Sequence, residues 1–314
     1  MARYIVRRLL ASIVVLLIVA LISFSIMQLV PGDPATVMAG VAAPPDQVQR
    51  IREQFGLDQP FPIQLWRWIS GAARGDLGQS IMLSRSVVTA IGERLPATLA
   101  MAGFSFLLTV IMGIPAGIIA AWKQNTWVDQ AIMTVAVVGV SLPGFWLGLI
   151  LIVVFAVLVD WLPAGGYVPF SESPIESLRS LLLPSVSLAL FQVGLLARIT
   201  RAAMIEVLRQ DYVRTARAKG LPELIVVGRH AFANVLVSVV TVVGIVVSLL
   251  LSGSLVIETV FSIPGFGRLL GNALLNRDYP LIQGGLLVSG AIFVLLNLVV
   301  DVLYTYLDPR IHYG

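Results

Sequence analysis

Residues Leu95–Trp122 read LPATLAMAGFSFLLTVIMGIPAGIIAAW, without one Asp, Glu, Lys or Arg. About 20 apolar residues cross a ~30 Å hydrocarbon layer as a helix, and lipid obliges the backbone to satisfy its own hydrogen bonds. This stretch therefore predicts a membrane-spanning helix. Outward from it lie five more charge-free apolar runs: Leu9–Val30, Gln130–Val159, Ser180–Ala197, Ala231–Ile257 and Tyr279–Val300. Each is about 18 residues or longer, the length read as a span. A buried core explains one such run, not six. With 58% hydrophobic and 12% charged residues, and a mean hydropathy of +0.92, the chain is too apolar for a soluble domain. The expected fold is an all-α integral membrane domain of six transmembrane helices, filling residues 1–314 as one domain.

Arg3, Arg7 and Arg8 precede the first run. That run exceeds the ~7–15 residues of a signal-peptide core and has no clear cleavage site behind it. It reads as an uncleaved span with its N-terminus held in the cytoplasm by the arginines. The Lys123 turn, the 198–230 connection and the tail with Arg310 are then cytoplasmic, as are both termini. Pro31–Arg94, Asp160–Arg179 and Glu258–Asp278 lie on the other side. The 198–230 loop is clearly basic, so the net charge of +4 reflects membrane orientation rather than affinity for nucleic acid. The absence of cysteine excludes disulfides, thiolate metal sites and a cysteine nucleophile.

The extracytoplasmic segment 31–94 predicts a helix that starts near Asp46, after Pro44–Pro45, and ends before Gly56. A second helix is expected over Phe61–Ala73, with Ile63, Trp66 and Ile69 on one face. Trp66 and Trp68 either cap a partner-facing surface or sit at the membrane interface. Ser84–Leu95 reads as an amphipathic lead-in lying on the membrane. In the core that follows (95–310), Pro115, Pro184, the Gly113/Gly117 and Gly144/Gly148 pairs and Ser252–Ser254 mark relaxed or interrupted helices and close helix approach.

Between the fourth and fifth runs stands DYVRTARAKGLP, Asp211–Pro222. Its Ala, Arg and Lys residues favour helix, Gly220 supplies a permissive stop and Pro222 prevents continuation. The segment is either a docking helix or an ordinary solvated loop. Polar residues at membrane depth form a second group: Asn297, Asp301 and Gln192. Asp301 is a functional site by default or pairs with the Asp308–Arg310 end. Glu258, at the outer end of the fifth run, is expected to face a vestibule and to shape an outer gate with the Pro264, Gly265 and Gly267 turn.

The order and spacing of the motifs carry a resemblance. RYIVRRLLASIVVLL, LVPGDPA (Leu29–Ala35), FGLDQP (Phe55–Pro60), GDLGQS (Gly75–Ser80) and LPATL (Leu95–Leu99) come first. LPGFWLG (Leu142–Gly148), WLPAGGY (Trp161–Tyr167), DYVRTARAKGLP, FSIPGFG (Phe261–Gly267), RDYP (Arg277–Pro280) and LDPRI (Leu307–Ile311) follow. End to end, the chain resembles the first of the two membrane subunits of bacterial dipeptide/oligopeptide ABC importers. The resemblance implies a pore-forming subunit of an ATP-driven importer for di- or oligopeptides or related small solutes, in the bacterial cytoplasmic (inner) membrane. Its implied partners are a second homologous permease, two cytoplasmic ATPase subunits and a periplasmic or lipid-anchored solute-binding protein, within membrane lipid. ATP and Mg would belong to the ATPases. The 198–230 loop would carry a coupling helix of Asp211, Tyr212, Arg214, Thr215, Ala216, Arg217, Ala218, Lys219, Gly220 and Leu221. Arg214, Thr215 and Ala216 stand where many importers have a Glu-Ala-Ala triplet, and Ser238 stands where many relatives carry proline.

No catalytic residue or metal site is expected. The only histidines, His230 and His312, share no span with a G-x-S-x-G serine, and no phosphate loop G-x-x-x-x-G-K-[ST] occurs. Hydrolysis would have to come from a partner. The rival class is a secondary transporter or channel driven by an ion gradient, which composition alone does not separate from a pump subunit.

Overall fold

The computed structural model describes residues 2–29, 33–40, 43–54 and 56–307. The chain begins with α1 (Ala2–Leu29), α2 (Pro34–Ala39), α3 (Pro45–Gln54) and α4 (Phe61–Ala73), then a small hairpin, β1 (Gln79–Ser80) and β2 (Arg85–Ser86). Next come α5 (Val87–Trp122), α6 (Trp127–Ser141), α7 (Gly144–Leu151), α8 (Pro174–Leu208), α9 (Asp211–Ala218) and α10 (Glu223–Ile225). The last three are α11 (Phe232–Val260), α12 (Phe266–Leu275) and α13 (Tyr279–Leu307). Wider π-helical turns continue α7 over Ile152–Leu158 and lead into α11 over Val226–Ala231.

Among the described residues, five segments are long and apolar enough to cross a membrane; they lie in α1, α5, α8, α10–α11 and α13. The run expected as a continuous third span is instead two helices, Trp127–Ser141 and Gly144–Leu158, meeting at 103°. Pro143 has no N–H to continue the ladder, and it drives Leu142 into an extended conformation (φ −86°, ψ 129°). Counted as one bent span, this pair makes six. Elsewhere the expected breaks are absent. Pro184 lies inside α8. Ser252 and Ser254 do not interrupt α11; their hydroxyls bond to the Ser248 and Leu251 carbonyls of their own helix. Residues expected as a lead-in lying on the membrane, Ser84–Leu95, are the end of the hairpin turn, β2 and the first turns of α5.

By internal packing the chain divides into two compact units, Met1–Pro96 with Phe266–Leu298, and Ala97–Gly265 with Val299–Gly314. The first unit is built on Leu77, Val87, Ala90, Ile91, Phe266, Leu269, Leu281 and Ile282. Val87, Ala90 and Ile91 are buried there, which is why that end of α5 is anchored rather than surface-bound. Asp278, almost fully buried, starts α13 and holds the hairpin: it accepts the Ser80 hydroxyl at 2.5 Å and the Met82 N–H at 3.0 Å. The two helices expected in segment 31–94 occur as α3 and α4, but the face of α4 that packs is that of Trp68. Its ring lies 5.8 Å from Phe24 on α1, whereas Trp66 is 71% exposed.

The second unit is organised around α8, whose length is lined with buried residues. Small residues bring its neighbours close. A Cβ at Gly117 of α5 would overlap the Ala197 carbonyl and Thr200, and one at Gly194 of α8 would overlap the Ala136 carbonyl of α6. α11 packs along the same helix through Val235, Val239, Val242, Val246 and Leu250, all in the core. The small-residue spacings of the sequence thus mark helix contacts.

Candidate functional site

The DYVRTARAKGLP stretch forms the short helix α9. Leu208 ends α8, Gln210 turns the chain in an extended conformation, and Asp211 places its carboxylate in the first turn, where the helix dipole favours it. The helix stops as its residues require. Gly220 adopts φ +77°, its N–H bonds to the Arg217 carbonyl at 2.9 Å, and the Leu221 N–H reaches back to the Ala216 carbonyl at 3.4 Å. This six-to-one closure satisfies the end carbonyls, and Pro222 follows it. Val213 and Ala216 are buried against Val226, with Val207, Leu208 and Leu221 around them. Tyr212, Arg214, Thr215, Ala218 and Lys219 are exposed. Ala216, expected among the residues meeting a partner, is therefore turned into its own chain, because helical periodicity puts it one turn from Val213.

The basic residues of α9 are already engaged. Arg214 pairs with Asp211 at 2.9 Å. Arg217 forks onto Glu223 through Nε and Nη2, the shorter contact being 2.7 Å, and so braces the turn around Gly220. Partial burial raises the Tyr212 phenol above its ordinary pKa, opposed in part by a hydrogen bond to the Asn234 side chain. The group stays a neutral hydroxyl at physiological pH.

A second cluster gathers around Glu258, near the C-terminal end of α11. Its side chain is fully buried rather than open to a vestibule. Thr98 donates its hydroxyl to Oε1 at 2.5 Å, and the Ile263 N–H bonds to the Glu258 carbonyl at 2.8 Å. That bond folds FSIPG back so that Gly265 lies on the carboxylate, where a Cβ would overlap it. Another stretch closes on the same turn: the Gly166 N–H bonds to the Phe261 carbonyl at 2.8 Å, and Gly165 leaves no room for a side chain over it. WLPAGGY and FSIPG are thus two halves of one packed turn. Pro264 is half-buried, and Gly267 belongs to α12 of the first unit.

Comparison with known proteins places this geometry. The model of the family described as binding-protein-dependent transport system inner membrane component matches residues 113–313, and its N-terminal companion matches residues 1–102. The chain belongs to that family. A putative peptide transport system permease protein of Brucella suis biovar 1 is 50% identical over the full length of both chains. The glutathione transport system permease protein of Escherichia coli O6:H1 is 44% identical, and the dipeptide transport system permease protein of Alkalihalophilus pseudofirmus 41%, each again over all of both chains. The inward-facing MetNI methionine ABC transporter shares the fold, with a TM-score of 0.59 at 17% identity, over 70% of this chain and 96% of the other.

In this permease the remaining polar groups sort differently. Asn297 spends its amide on the Phe293 carbonyl of its own helix at 2.8 Å, and Asp301 is half-buried. The Asp308–Arg310 end considered as a partner for Asp301, like His312, lies outside the described residues. Among the described residues no cluster of three or more His, Cys, Asp or Glu side chains forms a metal site. One strong interaction is not legible in the sequence. Asp129 of α6, 4% exposed, receives Arg201 of α8 through Nε at 2.6 Å and Nη2 at 2.7 Å, and also accepts the Asn125 N–H. This bidentate pair ties the short α5–α6 turn to α8, ten residues before α9 begins. Seventy-two positions separate the partners, and no spacing rule reaches that far. A lone acid beside a short turn is the only hint.

Proposed function

We propose that the permease is a pore-forming subunit of an ATP-driven importer of short peptides or related small solutes, and that α9 is its coupling helix. The observation that carries this reading is α9 itself. It is a short capped helix between two long apolar ones, buried on one face and presenting Tyr212, Arg214, Thr215, Arg217, Ala218 and Lys219 on the other. Docked on a cytoplasmic ATPase subunit, it would move with α8, to which Arg201 and Asp129 fasten the α5–α6 turn. ATP-driven closure of two such ATPases, bound to this chain and a second permease, would then switch which side of the pore is open. A solute-binding protein delivers cargo to the outer face, where the Glu258–Gly265 turn acts as a gate. ATP and Mg act on the ATPases, and hydrolysis belongs to them.

The test is uptake by the complex purified through this chain and placed in vesicles. Peptide import should require ATP and the binding protein and should survive an ionophore that collapses ion gradients. Import that stops with the ionophore and ignores ATP would overturn the reading.

A further inference from the structure

The main-chain ladder of α6 fails inside the hydrocarbon layer. The helix starts at a turn where Trp127 is 79% exposed and the Lys123 ammonium stands 4.7 Å over the Trp122 ring. Tryptophan in such a setting marks the edge of the layer. The 15 residues of α6 then carry the chain about 22 Å inward, short of the ~30 Å needed to cross. There Pro143 offers no N–H. The Leu142 N–H turns back to the Val138 carbonyl, and those of Trp146 and Leu147 both go to the Pro143 carbonyl. Among the described residues the carbonyls of Val140, Ser141 and Leu142 and the N–H groups of Gly144 and Phe145 are left without a main-chain partner. The hydroxyls beside them are already spent, Ser141 on the Val137 carbonyl and Ser187 on the Leu183 carbonyl.

The break is not sealed. Ser141, Pro143 and Phe145 are exposed along an open groove of about 410 Å³, whose other walls include Phe191 of α8 and Leu249 of α11, both exposed. Gln192 borders the groove but is 4% exposed, and its Oε1 is buried without a donor among the described residues. Irregular backbone at membrane depth persists only where protein buries it or water reaches it. Lipid tails offer neither donor nor acceptor. A packed helix from another subunit has its own main chain paired, and would leave both kinds of group unrelieved. Water relieves both. We infer that this groove is a wall of the water-filled path through the importer, with Ser141, Phe145, Phe191 and Leu249 facing the passing solute. The inference rests on the importer reading above and gives it a pore surface.

The test places single thiols in this cysteine-free chain, within the assembled complex in vesicles. Ser141→Cys and Leu249→Cys probe the groove. Ile18→Cys, at a 50% exposed position on the unbroken α1, is the apolar reference. A permanently charged thiol reagent is supplied on both sides and followed by the mass of this chain. A fixed charge enters the bilayer centre so poorly that both groove thiols should react at least about fiftyfold faster than Ile18→Cys. Their modification should stop the peptide import that each variant shows beforehand. Groove thiols no faster than Ile18→Cys, with or without ATP, overturn the inference: lipid or the second permease then fills the groove. Fast modification that leaves import intact overturns it too, because the water reached is off the path of the solute. Import by the cysteine-free complex in the same vesicles judges the importer reading separately. Fast groove thiols without ATP-driven import overturn that reading and leave the aqueous wall standing. If Ser141→Cys does not assemble with its partners, Leu249→Cys, on another helix, carries the same criterion.

Discussion

Gly265 shows how one residue can serve packing and function together. It has no left-handed backbone need; it is glycine because the Glu258 carboxylate occupies the space where a Cβ would stand. Gly265→Ala should therefore destabilise the purified complex, since overpacking typically costs about 1–3 kcal/mol. Glu258→Ala combined with Gly265→Ala should recover most of that stability, because removing the carboxylate makes room. Recovery of thermal stability without recovery of uptake would separate the fold from the gate. A single Gly265→Ala as stable as wild type would refute the packing argument. The sequence flagged both residues, yet it placed Glu258 in a vestibule, because hydropathy registers a charge and not the 0% exposure that folding FSIPG back imposes.

At the scale of the element, α9 was legible down to its cap. Gly220 and Pro222 stop the helix as composition predicts, and φ +77° at Gly220 is the conformation a side chain would oppose. Which face turns outward was not legible from composition, since Val213 and Ala216 are inward only because Val226 and Leu221 come to meet them. The exposed Arg217–Glu223 pair, with side chains 41% and 37% accessible, contributes about 0–1 kcal/mol at most. The turn is held by backbone bonds in any case. Arg217→Glu should thus leave folding and membrane insertion intact while uptake falls and ATP hydrolysis continues. Swapping the pair, Arg217→Glu with Glu223→Arg, restores the brace but not the outward charge pattern, so uptake should stay low. Full recovery in the swap would make Arg217 a local brace and remove it from the docking face.

For the whole molecule, the distribution of basic residues makes a claim about sidedness. The chain has no cysteine, so a single introduced thiol reports one position without background. Lys219→Cys should react with an impermeant maleimide only from the cytoplasmic side, and Glu172→Cys only from the opposite side. Labelling of both from one side would overturn the orientation. Both positions are exposed, which keeps either change from disturbing the core. The two compact units were not legible, because α5 and α13 each begin in one unit and end in the other. An apolar run carries no mark at such a crossing.

Hydropathy settled the class of this protein, the number and extent of its apolar runs and the stops of its short helices, since those depend on local composition and backbone chemistry. Tertiary structure decided the rest. It turned the third run through 103° at Pro143, buried Glu258 beneath Gly265, joined Asp129 to Arg201, and left Gln192 Oε1 buried with no donor among the described residues. Each of these depends on atoms far apart in the chain. A burial or a hydrogen bond exists only once both partners have been brought together, and no periodicity in the sequence encodes that distance.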